Sequence, residues 1–247
     1  MTMDLYRWEP NGACLKLMIA LKEKGLPFQD HYVDLLDLEH HGEGFKAMAD
    51  GGHVPLLVED GEPLGDSQFA LEYLAEAYEP RLAPSDPAGW YDVQAWTAQL
   101  ANALAEALVQ LGWHTVTLPA MSEAERKGFF ERAAKAPKPQ VTAGWTQVTS
   151  DAEASEDQLA LAREKIAGVV ARIEAALQGA DWLVGGAYSV ADINAYALTH
   201  TLPRLTPELV NKDKTPKMLA WLERIGERRA VKDALAMGNP DSYAPSV

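Results

Sequence analysis

The hydrophobic period changes once along this 247-residue chain, near residue 85, and that change limits the fold more than any other feature. Before it, short apolar runs alternate with helical stripes; after it, every stripe has the spacing of a helix. Met3 to Trp8 suits a strand, and Glu9-Pro10-Asn11-Gly12 is a turn cluster. Cys14, Leu17, Met18 and Leu21 then fall on one helical face, with Lys22, Lys24 and Gly25 as stop signals. Phe28 to Leu36 reads as a second strand interrupted by His31 and Asp34. After the polar His40-His41-Gly42 comes Gly51-Gly52-His53-Val54-Pro55, which leads into the apolar run Leu56-Leu57-Val58. Glu59-Asp60-Gly61-Glu62 is a hairpin signal and Pro63-Leu64 resumes the sheet. Asp66-Ser67 then cap a helix whose expected buried face is Ala70, Tyr73, Leu74 and Ala77.

The order β-α-β-α-β-β-α is that of a thioredoxin-like domain. The expected fold class is therefore an α/β thioredoxin-like N-terminal domain over residues 1–80, followed by an all-α C-terminal helical domain over 88–247. Residues 81–87, rich in proline, read as the linker. Val93, Trp96, Leu100, Leu104, Ala107, Leu108 and Leu111 form one helical stripe; Ile166, Val169, Val170, Ile173 and Leu177 form another. Thr115 to Glu156 reads as irregular, with Pro119, Pro137, Pro139 and Trp145, and its length suits a lid or binding loop. Ser189 and Asp192 have the spacing of a reciprocal helix cap, with Tyr188 placed to pack on Ile193.

Composition narrows the partners. A formal net charge of −14 argues against a nucleic-acid backbone or an anionic membrane, both of which need clustered Lys and Arg. The single cysteine, Cys14, cannot close an intrachain disulfide. Met1 runs into Asp4-Leu5-Tyr6-Arg7 without an apolar signal core, and no stretch approaches the ~20 apolar residues of a membrane helix. The expected compartment is the cytoplasm.

A few residues bear on chemistry. Val54-Pro55 precedes a strand, where a cis-proline exposes the preceding residue's main chain at a sheet edge, ready to pair with an extended peptide; a trans-proline opening a strand is the plain alternative. The expected form is cis. Asp66-Ser67 serve as a cap, as an anion site, or as both. Cys14 lies in the first turn of the first helix, where the helix dipole favours a thiolate. It is read as a nucleophile, as a donor to a ligand's thiolate, or as a buried core residue, since it also falls on the apolar face. His40, His41 and His53 lack metal-ligand spacing, so no metal site is assigned.

Val54-Pro55, Asp66-Ser67 and the Ser189-Val190-Ala191-Asp192 cap together resemble the glutathione S-transferase superfamily over nearly the whole chain. Leu15-Lys16, Glu23-Lys24-Gly25-Leu26, His41, Gly112-Trp113 and Met121-Ser122 resemble, more narrowly, the bacterial glutathione-dependent β-etherases, which cleave β-aryl ether bonds of lignin-derived aromatics. The resemblance implies glutathione as co-substrate, its cysteinyl main chain paired with Val54 beside Pro55. Its γ-glutamyl carboxylate would sit at Asp66 and Ser67, and its glycyl end near His41 and His53. Its sulfur would point at the turn holding Asn11 and Cys14, either of which would stabilise the thiolate. Tyr6, Trp8, Trp113, His114 and Trp145 would hold the substrate's rings, and the chain would form a homodimer or a heterodimer.

The chain departs from the etherase pattern at Cys14, where relatives carry serine, and at Ala13, where they carry asparagine. Asp66 replaces a longer acid or amide, and Ala49-Asp50 replaces Asn-Pro. The alternatives are therefore a weakly active or non-catalytic subunit of a heterodimeric β-etherase, or a Cys14-dependent glutathione transferase or thiol lyase.

Overall fold

A computed structural model describes residues 2–49, 52–135 and 154–240. Strand β1 (Met3–Arg7) alternates buried and half-buried positions, which turns Met3, Leu5 and Arg7 to one face. Helix α1 (Gly12–Lys24) crosses to β2 (Gln29–Tyr32), which runs parallel to β1. Strand β3 (Leu56–Glu59) is antiparallel to β1, and β4 (Glu62–Leu64) is antiparallel to β3, giving the sheet order β2-β1-β3-β4. Asp60 and Gly61 join the last pair with φ of 48° and 88°, the left-handed conformation that a tight Asp-Gly hairpin requires.

The second strand stops earlier than its apolar pattern suggested. Asp34 accepts the N–H groups of Leu36 (2.8 Å) and Asp37 (3.2 Å), and this local turn outcompetes sheet pairing. A 3₁₀ turn (Glu39–His41) and a short α2 (Glu43–Met48) follow. Helix α3 (Ser67–Ala77) buries Ala70, Leu71, Leu74 and Ala75, so its inner face is rotated from the expected one and Tyr73 points outward. Lys24 closes the far end of α3: its ammonium donates to the carbonyls of Ala75 (3.0 Å), Tyr78 (2.5 Å) and Pro80 (2.5 Å).

Asp86 caps α4 (Pro87–Gln99) through the N–H of Gly89 at 2.9 Å. The helix continues through a π-helical stretch (Leu100–Ala105), α5 (Glu106–Gly112), a second π stretch (Trp113–Thr117) and α6 (Leu118–Ala120). Val93, Trp96, Leu100, Leu104, Ala107 and Leu111 are buried along it, as their spacing predicted. Helix α7 (Glu123–Lys135) corrects the irregular reading of this stretch, while residues 136–153 lie outside the described ones. Then come α8 (Glu156–Ala176), α9 (Val190–Thr199), α10 (Leu202–Leu205), α11 (Pro216–Gly226) and α12 (Arg229–Leu235).

One hydrophobic cluster runs from Met3 and Leu5 through α1, α3, α4, α8 and α9 to Trp221. A smaller one gathers Leu38, Trp113, Leu118, Met121 and Phe129. Arg228 joins α12 to α1 through a two-pronged bond to Glu23 (2.6 and 2.9 Å), and its guanidinium covers the Tyr188 ring at 3.9 Å. Tyr188 is thus held under Arg228 and against Trp182.

Candidate functional site

Register brings three backbone segments to one end of the sheet. Tyr6 lies opposite Leu56, so the antiparallel pairing carries Trp8 toward Val54. Leu57 lies opposite Leu64, which brings Asp66 and Ser67 beside Pro55. The Val54–Pro55 peptide is cis. Neither main-chain polar group of Val54 bonds to another backbone group among the described residues. Upstream, Gly52 has φ of 72°, and a Cβ there would meet the His40 carbonyl oxygen at 2.6 Å, so only glycine lets these segments touch.

The start of α1 is open. Asn11 occupies the N-cap position in an extended conformation, but its side chain caps nothing. Its carbonyl accepts from the N–H groups of Cys14 and Leu15, both at 3.1 Å, and its own N–H donates to Glu9 O at 2.7 Å. The N–H groups of Gly12 and Ala13 have no backbone partner among the described residues, as a first helical turn dictates. Anionic groups bind such a terminus readily.

Cys14 does not have the environment expected of a thiolate. It is 5% exposed, its sulfur accepts the Trp8 N–H at 3.4 Å, and burial pushes the thiol up to about 12. Desolvation outweighs the Trp8 bond and the charges of Arg7 and Lys16. The sulfur clasps the turn; the open donors are those of Asn11 and the helix start.

At α3, Asp66 accepts the Gln68 N–H at 2.7 Å, so its carboxylate is engaged as a cap, while Ser67 is half-buried at the first helical position. Sequence reasoning gave no chemical role to Lys16, which approaches this point from α1. It is 8% exposed, and its ammonium donates to Gln68 Oε1 at 3.3 Å. Burial pulls it down to about 8 despite Asp66 and Glu72. Gln68 in turn donates to Glu72 (2.8 Å) and Thr97 (3.3 Å), so α1, α3 and α4 share one polar network. A lysine one turn into an otherwise apolar helix was the available signal.

The remaining expected residues separate. His41 is buried with no partner for Nδ1 among the described residues, and burial pulls its pKa down, so it is a neutral donor or acceptor. His53 is exposed. Trp8 is half-buried, with an indole N–H that has no partner among the described residues. Two of the expected ring-binding residues pack against other aromatic side chains. Tyr6 stacks on His31 (4.3 Å between centroids) and meets Phe45 edge-on (5.9 Å), between the sheet and α2. Trp113, 6% exposed, packs on Phe129 at 5.1 Å as part of the smaller core. His114 is half-buried on the second π stretch, and Trp145 lies outside the described residues.

Two family models match the chain: the N-terminal domain of glutathione S-transferase over residues 13–77 and its C-terminal domain over 137–229. Protein LigF of Sphingobium sp. strain SYK-6 is 31% identical over 240 residues, 94% of this chain and 93% of that protein. The chain belongs to the glutathione S-transferase superfamily. The crystal structure of the β-etherase LigF superposes on this transferase with a TM-score of 0.85, covering 96% of this chain and all of that one. A glutathione transferase homologue from Sulfitobacter, solved with bound glutathione, shares the transferase fold at 20% identity, with a TM-score of 0.68 over 96% of this chain and 98% of its own. No helix among the described residues of the transferase is long and apolar enough to cross a membrane.

Proposed function

We propose that this transferase is a glutathione-dependent β-etherase that cleaves β-aryl ether bonds in lignin-derived aromatic ketones. The observation that carries the reading is its end-to-end similarity to the β-etherase LigF. The geometry fits a thiol tripeptide. Val54 offers main-chain groups without a backbone partner among the described residues to the cysteinyl residue, and the start of α3 with Ser67 receives the γ-glutamyl carboxylate. Lys16 supplies positive charge beneath that point in an otherwise acidic protein. His41 and His53 flank the glycyl end. Asn11 and the N–H groups of Gly12 and Ala13 receive the sulfur.

A free thiol near pKa 8.5 is only a few per cent ionised at neutral pH, so lowering it by about one unit raises the thiolate about tenfold. The open start of α1 supplies that stabilisation. The thiolate attacks the carbon bearing the aryloxy group, a carbon–sulfur bond forms as the carbon–oxygen bond breaks, and the phenolate leaves to take a proton from solvent. Residues 1–80 hold glutathione, 81–87 link, and 88–247 hold the rings, with His114 at that wall and Trp8 facing it from the first domain. The burial of Cys14 argues against the mixed-disulfide alternative.

Association in pairs is favoured by Phe69 (72% exposed), Tyr73 and Tyr91 (74% exposed), aromatic groups left in water on α3 and α4. The partner is a second copy or a related chain, and the compartment is the cytoplasm. Incubation with glutathione and a β-aryloxy ketone carrying a fluorogenic phenol tests the activity. Phenol release that needs glutathione is the expected result; no release, alone or after mixing with a related chain, rejects it.

A further inference from the structure

Glu9 sits two residues before Asn11, at the turn that opens α1, and is 4% exposed. A carboxylate this deep is costly unless donors surround it. Tyr32 Oη donates to Oε1 at 2.6 Å, and the N–H of Asn239 donates to Oε2 at 3.0 Å. The first bond reaches the end of β2, the second the C-terminal segment beyond α12. Gly238 lies against the same turn: a Cβ there would come within 3.3 Å of Pro10 Cγ and 3.5 Å of Glu9 Oε2. Arg7, two residues before Glu9, holds the intervening carbonyl of Trp8 at 3.2 Å and pairs with Asp30. Glu9 O accepts the Asn11 N–H at 2.7 Å, so the residue that anchors the turn also orients the residue facing the sulfur.

Stability alone is a weak reason for this arrangement. Buried ionic groups replaced by well-packed apolar ones often leave stability unchanged or improved, and in some proteins such groups serve to fix one geometry. We infer that Glu9 is a positioning residue, which locks the Trp8–Asn11 turn to β2 and to the C-terminal segment so that Asn11 and the start of α1 meet the glutathione thiol. The inference rests on the glutathione reading of the site. Thiolate stabilisation depends on donors held at hydrogen-bond distance, and an untethered turn lets them drift.

The test is the ionisation of bound glutathione, followed by thiolate absorbance against pH, in the wild type, Glu9→Ala, Glu9→Gln and Tyr32→Phe. In Glu9→Ala the bound thiol is expected to titrate about one unit higher, a tenfold loss of thiolate at neutral pH. Turnover falls by the same factor, with KM for glutathione within about twofold. Glu9→Gln, which keeps an acceptor, recovers part of the loss, and Tyr32→Phe, which leaves the turn's own residues intact, shows about a threefold effect. A folded Glu9→Ala with wild-type ionisation and turnover overturns the inference. Should Glu9→Ala not fold, an unmoved titration in Tyr32→Phe overturns it equally. Absence of any bound thiolate signal in the wild type is a different result, and rejects the glutathione reading itself.

Discussion

Two helix starts in this chain, those of α1 and α9, are built in opposite ways, although the two helices pack together and a Cβ at Gly12 would be 4.0 Å from Leu198 near the far end of α9. At α9, Ser189 Oγ accepts the Ala191 N–H at 3.3 Å and Asp192 returns a bond to the Ser189 N–H at 3.1 Å. The other oxygen of Asp192 takes Leu183 N–H (3.0 Å) and Trp221 Nε1–H (2.9 Å). Burial still pushes that carboxyl up to about 6, so its partners only partly offset the loss of water. At α1 no side chain caps, and the N–H groups of Gly12 and Ala13 have no backbone partner among the described residues. A closed start holds the core together; an open one, under the proposed function, keeps donors for a ligand.

Removing the closed cap gives the largest effect. Asp192→Ala strands the Ser189 and Leu183 N–H groups and the Trp221 indole in the core, and is expected to cost about 3–5 kcal/mol in urea unfolding. The affinity of the remaining folded protein for glutathione is expected to stay at the wild-type value. A loss below about 1 kcal/mol would mean that the box is ornamental and the contrast false.

Cys14 comes next. With its thiol pushed to about 12, the thiolate fraction at pH 8 lies about three orders of magnitude below that of an exposed cysteine. Iodoacetamide labelling is expected to be slower by at least that factor in the native protein, and ordinary in urea. Fast native labelling would show that the start of α1 includes a reactive sulfur.

How far these features can be read in the sequence depends on how local their causes are. The Ser189–Asp192 cap, the Asp60-Gly61 hairpin and the α4 and α8 stripes are local patterns, and each formed where its spacing indicated. Helix α7 escaped notice because Phe129 is its one buried residue, so the rest of Glu123–Lys135 shows no apolar stripe. Trp113 and Tyr6 look like pocket aromatics by type, and their contacts with Phe129 and His31 involve distant partners that composition does not reveal. Cys14 has the helix position of a nucleophile, yet the desolvation that governs it comes from tertiary packing. Lys16 shows the converse, a charge whose use depends on Gln68, 52 residues later.

Asn11 is the direct probe of the open start. Its side chain caps nothing, so Asn11→Ala is expected to change stability by no more than about 0.5 kcal/mol. A hydrogen bond to a charged group is worth about 1.5–3 kcal/mol, so turnover with glutathione should fall about 10–100-fold. The reverse outcome, lost stability with turnover retained, would make Asn11 a structural cap after all.

The start of α3 stands between the other two, with one capping bond from Asp66 and a half-buried Ser67. Asp66→Ala is expected to cost about 1 kcal/mol, read by urea unfolding, because the Gln68 N–H loses its acceptor. Asp66→Asn keeps that acceptor and should restore stability, asparagine being as good a cap as aspartate. If Asp66→Asn instead loses as much as Asp66→Ala, the charge matters more than the bond. The reason would then be Lys16: a buried ammonium with Gln68 Oε1 at 3.3 Å depends on Asp66 and Glu72 for compensation, and removing one of them leaves the cation short until a ligand carboxylate arrives. Glutathione would accordingly bind Asp66→Asn more tightly than it binds the wild type, and titration calorimetry on the two proteins separates the cases.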